Sequence, residues 1–520
     1  MRAVIFGVDG LSFRVLNPLI QRGDLPNFAR LRNEGVESEF ISSVPAVTPP
    51  AWMSMVTGMK PAKHGVFDFW EFDTASPTLQ SKLVTHRKGG KAIWNILSEY
   101  GKRVIVMNVP LTYPPDPVNG VMVSGLMTPG TFSPFTFPHA FKDELFKVVP
   151  DYRIDLSTEK IAAGKFVDGV LDMTEKRIQL QEHLLSEHEW DFAFLAYVGP
   201  DRIQHRIWKD IEVLDRHATR YYRLLDDALG RVLQHLKPDD MLFVASDHGF
   251  VGARNWFYIN EYLARRNMLQ RGPATTNLKS RMFHVARETA QRTHLLGAAR
   301  KVRKAFSNLD DTPIAEKQQS FYKPLFEHID WTTNHACVLS QTAFGSGVAD
   351  VFLSPNASPA EREELRLALE AERHPVTGQP LAQAVYATDI YGIGPFRPAE
   401  EHIVLLPSTG VTFHLEMGRR RLWEHFEEPK GIHEKEGVFF ARGNGIRQGA
   451  HLDPLQIYDL VPTVLSALGV SSDEPFDGRV AREIFAARDT SQQDAAEQDE
   501  GESLVSRKLK RLQTSKSLLS

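Results

Sequence analysis

The chain contains a single cysteine, Cys337, among 520 residues. One cysteine excludes an internal disulfide and any metal site built from several thiolates. The sequence also lacks an uninterrupted run of about 18 apolar residues, so no transmembrane helix is expected. The apolar run AVIFGV that follows Met1 and Arg2 ends at Asp9 and is too short for a signal peptide. These absences together predict a cytoplasmic protein.

A strong excess of charge of either sign is also missing. The formal net charge is −4, with 24% charged and 42% hydrophobic residues, which is ordinary for a globular protein. This balance gives no reason to expect a nucleic acid as the general partner. The length allows two or three domains, or one large α/β domain with insertions.

Short apolar runs alternate with amphipathic stretches along much of the chain. Buried strands are predicted at residues 2–8, 36–43, 102–108, 192–197 and 241–245, and helices at residues 25–33, 161–188 and 211–236. Continuous rather than alternating apolar runs are typical of parallel strands that are covered on both sides. The pattern therefore predicts an α/β fold with a mostly parallel sheet and helices on both faces.

One segment, residues 44–65 (VPAVTPPAWMSMVTGMKPAKHG), combines a hydroxyl with a helix start. Thr48 stands directly before Pro49 and Pro50, which predicts an N-cap at Thr48 and a helix that ends near Gly58. The positive end of a helix dipole favours an anion such as phosphate near Thr48. The hydroxyl could equally be a helix cap without a chemical role.

Acidic and histidine side chains follow several of the predicted strands. They are Asp9, the pair Asp201 and His205, the pair Asp247 and His248, and His433 in a loop. Asp201 and His205 are four residues apart and would share one face of a helix. Each residue alone has an ordinary alternative as a turn aspartate, a surface histidine or a cap, since the chain has 19 histidines.

Taken together, these residues suit two divalent metal ions. One set would be Asp201, His205 and His433, and the other Asp9, Asp247 and His248 with the Thr48 oxygen as a further ligand. Histidine nitrogens and carboxylate oxygens are common zinc ligands, and catalytic sites use about three of them. Two such ions about 4 Å apart polarise a phosphoryl group, and an activated Thr48 hydroxyl could attack it.

The blocks VIFGVDGL, TPPAWMSMVTGMKPAKHGVFDF, DRIQHRIW, SDHGF, GIHEKEGVFFARG and IYDLVPTVLSALGV with FDGR appear in this order. Their residues and their order resemble the alkaline phosphatase superfamily, in particular type I phosphodiesterases/nucleotide pyrophosphatases and the related phosphohydrolase/phosphomutase branch. The resemblance covers residues 1–485. It implies a doubly wound α/β core with two zinc ions and a phospho-threonine intermediate on Thr48.

The sequence also departs from this family. Nucleotide pyrophosphatases carry an asparagine that binds a phosphoryl oxygen where this chain has Phe69 in HGVFDFWEF. Lys91 and Asn108 are candidates for the missing donor. The sulfatase motif C/S-x-P-x-R is absent from TPPAW, and the metal-dependent phosphoglycerate mutases use serine as the nucleophile.

The sequence thus predicts a two-metal hydrolase of phosphodiesters or phosphomonoesters that acts on a small phosphorylated substrate. A phosphotransferase or phosphomutase of the same chemistry, or a non-catalytic metal-binding scaffold, are the alternatives. The domain prediction places a core at residues 1–262 and 324–488, separated by a basic helical insertion or lid at 263–323. Residues 489–520 are expected to form a disordered, charged tail.

Overall fold

The structure, a computed structural model, describes residues 1–73, 80–156, 163–270, 333–339, 347–396 and 402–486. Most of the predicted insertion and the whole predicted tail lie outside these residues. The division of the chain at residues 262, 323 and 488 therefore stays a prediction.

The described residues form strands and helices in alternation. The strands are β1 (Ala3–Val8), β2 (Val36–Ile41), β3 (Trp70–Asp73), β4 (Gln80–Leu83), β5 (Val104–Met107), β6 (Gly120–Val123), β7 (Thr136–Phe137), β8 (Phe192–Tyr197), β9 (Met241–Ser246), β10 (Gly249–Tyr258), β11 (Ala336–Val338), β12 (Ala349–Leu353), β13 (Ala382–Tyr386), β14 (Ile403–Pro407), β15 (Val411–His414), β16 (Trp423–Glu434), β17 (Glu436–Gly443), β18 (Ala450–His451) and β19 (Leu455–Gln456). The helices are α1 (Phe13–Gln21), α2 (Pro26–Glu34), α3 (Thr48–Thr57), α4 (Pro61–His64), α5 (Ile93–Glu99), α6 (Phe141–Val148), α7 (Ala163–Glu187), α8 (Gly199–Glu212), α9 (Arg216–His235), α10 (Ile259–Arg265), α11 (Pro359–Ala371), α12 (Ala387–Ile390) and α13 (Leu460–Ala467), with 3₁₀ turns at Ile457–Asp459 and Arg482–Ile484.

The largest sheet has the order β18-β2-β17-β9-β1-β8-β5-β6-β7, with β19 also paired to β2. Strand β1 lies between β8 and β9 and is parallel to both, and β5 and β6 continue in the same direction. Within this sheet only β17 and β7 run antiparallel to their neighbours. The predicted mostly parallel sheet is confirmed.

Helices cover both faces of this sheet. Alternate residues of β1 belong to different core clusters, Phe6 to one and Ile5 to the other. The first cluster includes residues of α1, α2, α7 and α9, and the second includes residues of α3, α5 and α13. Because side chains alternate across a strand, the two clusters lie on opposite faces, which explains why β1 is buried at every position.

The helix at Thr48 differs from the prediction in its start. Helix α3 begins at Thr48 itself, and its N-cap is Val47, so the threonine is not the capping residue. The helix ends as predicted at Gly58, which has φ +67° and adopts the left-handed conformation that glycine tolerates. Among the described helices, none is both long enough and apolar enough to cross a membrane.

Three smaller sheets accompany the main one in the described residues, and the smallest is the antiparallel pair β3 and β4. Strands β15, β10 and β16 form the second, and β11, β12, β14 and β13 form the third. The antiparallel pairing of β10 with β16 sets Phe250 opposite His433. This register brings His433 close to His248, which directly precedes β10.

Candidate active site

Three neighbouring strands deliver carboxylates to one edge of the main sheet. In register, Val8 of β1 pairs with Tyr197 of β8 and with Ser246 of β9. Asp9 and Asp247 therefore follow β1 and β9 at the same level. The backbone N–H of Asp201 donates to the Asp9 carbonyl at 3.1 Å, which places the start of α8 at this edge. Ligands of open α/β sheets bind at this carboxyl end.

The first predicted ligand set, Asp201, His205 and His433, comes together. The Asp201 Oδ1 atom lies 3.1 Å from Nε2 of His205 and 3.1 Å from Nε2 of His433. The two Nε2 atoms lie 2.9 Å apart. Asp201 and His205 share a face of α8, as their spacing predicted, and β16 supplies His433 from 228 residues further along the chain.

The second predicted set, Asp9, Asp247 and His248, is entirely buried. The His248 Nε2 atom lies 3.3 Å from Asp247 Oδ2 and 3.5 Å from Asp9 Oδ1. These three atoms make no hydrogen bond to any described residue. Buried polar atoms without partners are costly, and a cation among them would satisfy all three.

The other oxygens of this set are held in place by hydrogen bonds. The Trp52 indole N–H donates to Asp9 Oδ2 at 3.2 Å, and the Gly10 N–H donates to Asp247 Oδ1 at 3.0 Å. Such outer partners orient metal ligands and fix which atom faces the metal. The donor atoms therefore fit a divalent cation at this position.

The two sets are adjacent. The rings of His248 and His433 stack with centroids 3.7 Å apart. Ligand atoms of Asp201, His248 and His433 also lie within 4.8 Å of one another. The two sets of potential metal ligands are therefore direct neighbours at this edge of the sheet.

Burial and charge perturb the titration of these groups. Burial, together with the carboxylates nearby, raises the pKa of Asp9 and of Asp247 well above the usual range. Burial, reinforced by His433, lowers the pKa of His248 well below its usual value. For Asp201, burial acts upward but contacts with His205 and His433 outweigh it and lower its pKa. A neutral His248 is the protonation state that a metal ligand needs, and a cation beside Asp9 and Asp247 would favour their ionised forms.

Thr48 lies in a segment that is tied to both sets. The Ala46 carbonyl, two residues before it, lies 2.9 Å from Nδ1 of His433. Trp52, one helical turn after it, makes the bond to Asp9. Thr48 is 3% exposed, and its hydroxyl has no hydrogen-bond partner within the described ranges. No described hydrogen bond therefore gives this hydroxyl a structural role.

The two weaker candidates, Lys91 and Asn108, are not brought to the metal ligands by any contact. Asn108 is buried, accepts a 2.6 Å bond from the Tyr152 hydroxyl and donates to the Ser124 carbonyl at 3.3 Å. Lys91 pairs at the surface with Glu99 at 2.9 Å and with Glu474 at 3.6 Å. The described contacts of both side chains are with residues outside the two ligand sets, and their role as phosphoryl donors stays a prediction.

Sequence reasoning missed three residues around the ligands. Besides Trp52, Gln204 Nε2 donates to the Gly10 carbonyl at 2.5 Å. Arg202 pairs with Asp155 at 2.8 Å and electrostatically favours the ionised form of Asp9. The four-residue spacing from Thr48 to Trp52, and the position of Arg202 and Gln204 inside DRIQH, were the available signals.

The sequence matches the family described as type I phosphodiesterase / nucleotide pyrophosphatase over residues 3–328. No curated protein matches the chain by sequence. Among solved structures, murine ectonucleotide pyrophosphatase/phosphodiesterase 5 has a TM-score of 0.53 at 13% identity, covering 94% of this chain and 100% of its own.

Two further structures cover the same shares, 94% of this chain and 100% of their own. An inactive threonine-to-alanine variant of the murine protein, in complex with AMP, has a TM-score of 0.52 at 13% identity. The human protein has a TM-score of 0.51 at 14% identity. These likenesses confirm the alkaline phosphatase-like α/β fold. By its sequence match over more than half of its length, the chain belongs to the type I phosphodiesterase / nucleotide pyrophosphatase family and is a phosphoester hydrolase.

Proposed function

We propose that this chain hydrolyses phosphoric diesters or monoesters with the help of two divalent metal ions and with Thr48 as the nucleophile. The observation that carries the proposal is the pair of adjacent ligand sets, one of which leaves three buried ligand atoms without hydrogen bonds. A small phosphorylated molecule is the substrate class that such a site suits.

Asp201, His205 and His433 would hold one ion, and Asp9, Asp247 and His248 the other, with the Thr48 oxygen beside the second set. This ligand set favours zinc over magnesium, since three of the six ligands are imidazoles and three are carboxylates. Two ions there would polarise the phosphoryl group and offset the negative charge of the entering and leaving oxygens.

The proposed step at Thr48 is a double displacement. The Thr48 oxygen bonds to phosphorus and loses its proton, while the bond from phosphorus to the leaving oxygen breaks and the leaving alcohol takes up a proton. Water then attacks the phospho-threonine and restores the hydroxyl, which gives a phosphate monoester from a diester or inorganic phosphate from a monoester. That a threonine-to-alanine variant of the murine relative is inactive fits this role.

The test is turnover by the purified, zinc-loaded chain. We expect release of p-nitrophenol from bis-p-nitrophenyl or mono-p-nitrophenyl phosphate, and the ratio of the two rates gives the preferred ester. Asp247→Asn, which keeps the side-chain shape but removes a ligand charge, should lose most of this activity. An exposed aspartate of α12, Asp389, provides the matched control as Asp389→Asn.

Two outcomes would contradict hydrolysis. No turnover of either ester by protein that holds two metal ions would indicate a metal-binding scaffold. Transfer of the phosphoryl group to an added alcohol in preference to water would indicate a phosphotransferase.

Cell fractionation tests the cytoplasmic location, which is also part of this proposal. Recovery of the protein outside the cell, where the names of the ecto-enzymes place those proteins, would contradict it.

A further inference from the structure

A second group of potential metal ligands lies between α6 and α7. Glu144 is in the first turn of α6, His183 is in the C-terminal part of α7, and His188 follows the end of α7. The Oε1 atom of Glu144 lies 2.7 Å from Nε2 of His183 and 2.8 Å from Nε2 of His188. Two imidazoles thus converge on one carboxylate oxygen.

This group is separate from the proposed active site. Helix α7 leads into the amino end of β8, whereas Asp201 follows its carboxyl end. Because a strand rises about 3.3 Å per residue, the six residues of β8 separate the two positions by about 20 Å. None of the three residues contacts a member of the two active-site ligand sets within the described chain.

The geometry suits a small divalent ion. The three ligand atoms lie within 4.8 Å of one another. Ligands bound at about 2.1 Å in a tetrahedral site are about 3.4 Å apart, so each nitrogen needs to move from the oxygen by about 0.6–0.7 Å. The side chains of Glu144, His183 and His188 are 42%, 20% and 25% exposed, which leaves them room for that movement.

The two histidines share the Glu144 carboxylate as their hydrogen-bond acceptor. Burial acts to raise the pKa of Glu144, but the hydrogen bonds from His183 and His188 outweigh it and lower the pKa. The ring of Phe141 packs edge-on against His188 with centroids 5.5 Å apart and limits its rotation. An ion pair with Glu144 requires only one histidine, whereas here two imidazoles contact the same carboxylate oxygen.

We propose that Glu144, His183 and His188 form a third, peripheral site for a divalent transition metal such as zinc. One carboxylate and two imidazoles are typical of zinc sites that keep a position open to water. The bound ion would join α6 to the end of α7.

Equilibrium dialysis of the full-length protein against buffered zinc, followed by elemental analysis, tests the proposal. We expect one more equivalent of zinc in the wild type than in the double variant His183→Ala/His188→Ala. The matched control is His217→Ala, which removes an exposed histidine of α9 and should keep the wild-type count. Glu144→Gln, checked for folding by circular dichroism, should lose the same equivalent if the double variant does not fold.

Equal zinc counts in the wild type and in folded Glu144→Gln and double variants would overturn the proposal, because the residues would then form ion pairs only. The result is independent of the catalytic proposal. Asp247→Asn should lose zinc from the active site and keep the peripheral equivalent. Failure of the active site to bind zinc would contradict the proposed function without affecting the peripheral count.

Discussion

At the residue scale, Thr48 is a buried residue whose hydroxyl neither caps α3 nor bonds to a described neighbour. Thr48→Ala should therefore change stability little and keep both metal ions, but lower turnover by about a thousandfold or more, because water lacks the positioning of a fixed oxygen. Thr48→Ser should retain most activity. Steady-state rates per folded, metal-loaded molecule measure this. A near wild-type rate in Thr48→Ala would exclude the nucleophile role.

His433 joins several parts of the site. Its ring lies within 3.1 Å of Asp201 and His205 and also bonds to the Ala46 carbonyl ahead of Thr48. His433→Ala should lose about one equivalent of metal and most activity. His425→Ala, an exposed histidine on the same strand that bonds to Asn255, should lose neither. Elemental analysis of both variants decides the point, and equal metal contents would show that His433 is not a ligand.

At the scale of elements, α3 packs against β1 so closely that Gly7 of β1 leaves no space for a side chain. A Cβ there would lie 2.8 Å from Phe194 and 2.9 Å from Trp52, both fully buried. Gly7→Ala should destabilise the fold by about 1–3 kcal/mol and displace the indole that orients Asp9. Gly164→Ala in α7, whose Cβ would meet no atom within 4 Å, should be neutral or slightly stabilising. Urea unfolding compares them, and equal midpoints would contradict this packing.

Strand β12 carries a buried acid, Asp350, near Asp68, Tyr391 and His402. Burial, with the negative charge of Asp68, raises the pKa of Asp350 to about 7. The folded state keeps this carboxyl protonated at a pH where the unfolded state ionises it. Its contribution is therefore fully present below about pH 4 and falls by about 1.4 kcal/mol per unit as the pH rises toward 7.

Asp350→Asn removes this titration and should gain stability relative to the wild type as the pH rises from about 4 to 7. Asp389→Asn, on the exposed side of α12, should follow the wild type. Urea unfolding of the three proteins across this range provides the measurement. A difference between Asp350→Asn and wild type that stays constant with pH would show that Asp350 is ionised in the folded protein.

At the scale of the whole molecule, the metal ions should stabilise the fold. Asp9 and Asp247 are buried close together from two segments, and without cations their burial and the nearby carboxylates make their charges oppose folding. Ions that bind only the native state add about 2.7 kcal/mol at a free concentration one hundred times Kd. A chelator should lower Tm, and zinc should restore it. An unchanged Tm in protein shown to be metal-free would contradict this coupling.

The sequence by itself determined the parallel strands and the acidic and histidine residues at the carboxyl edge of the main sheet. Apolar runs such as residues 192–197 must be buried on both sides, so their pattern predicted β8 and its covering helices directly. The four-residue spacing of Asp201 and His205 likewise predicted a shared helix face, because helical geometry is local. The order of the motifs predicted the family because motifs are read along the chain and require no knowledge of distant contacts.

Only the tertiary structure decided which residues meet across long separations. The pairing of β10 with β16 sets His433 beside His248, and no local pattern encodes that register. Asn108 had the polar character of a substrate ligand, yet its side chain is buried and hydrogen-bonds to the hydroxyl of Tyr152 and the carbonyl of Ser124. The indole of Trp52 reaches Asp9 only because Gly7 lets α3 approach β1. Such contacts depend on packing between segments far apart in the chain, which residue spacing does not record.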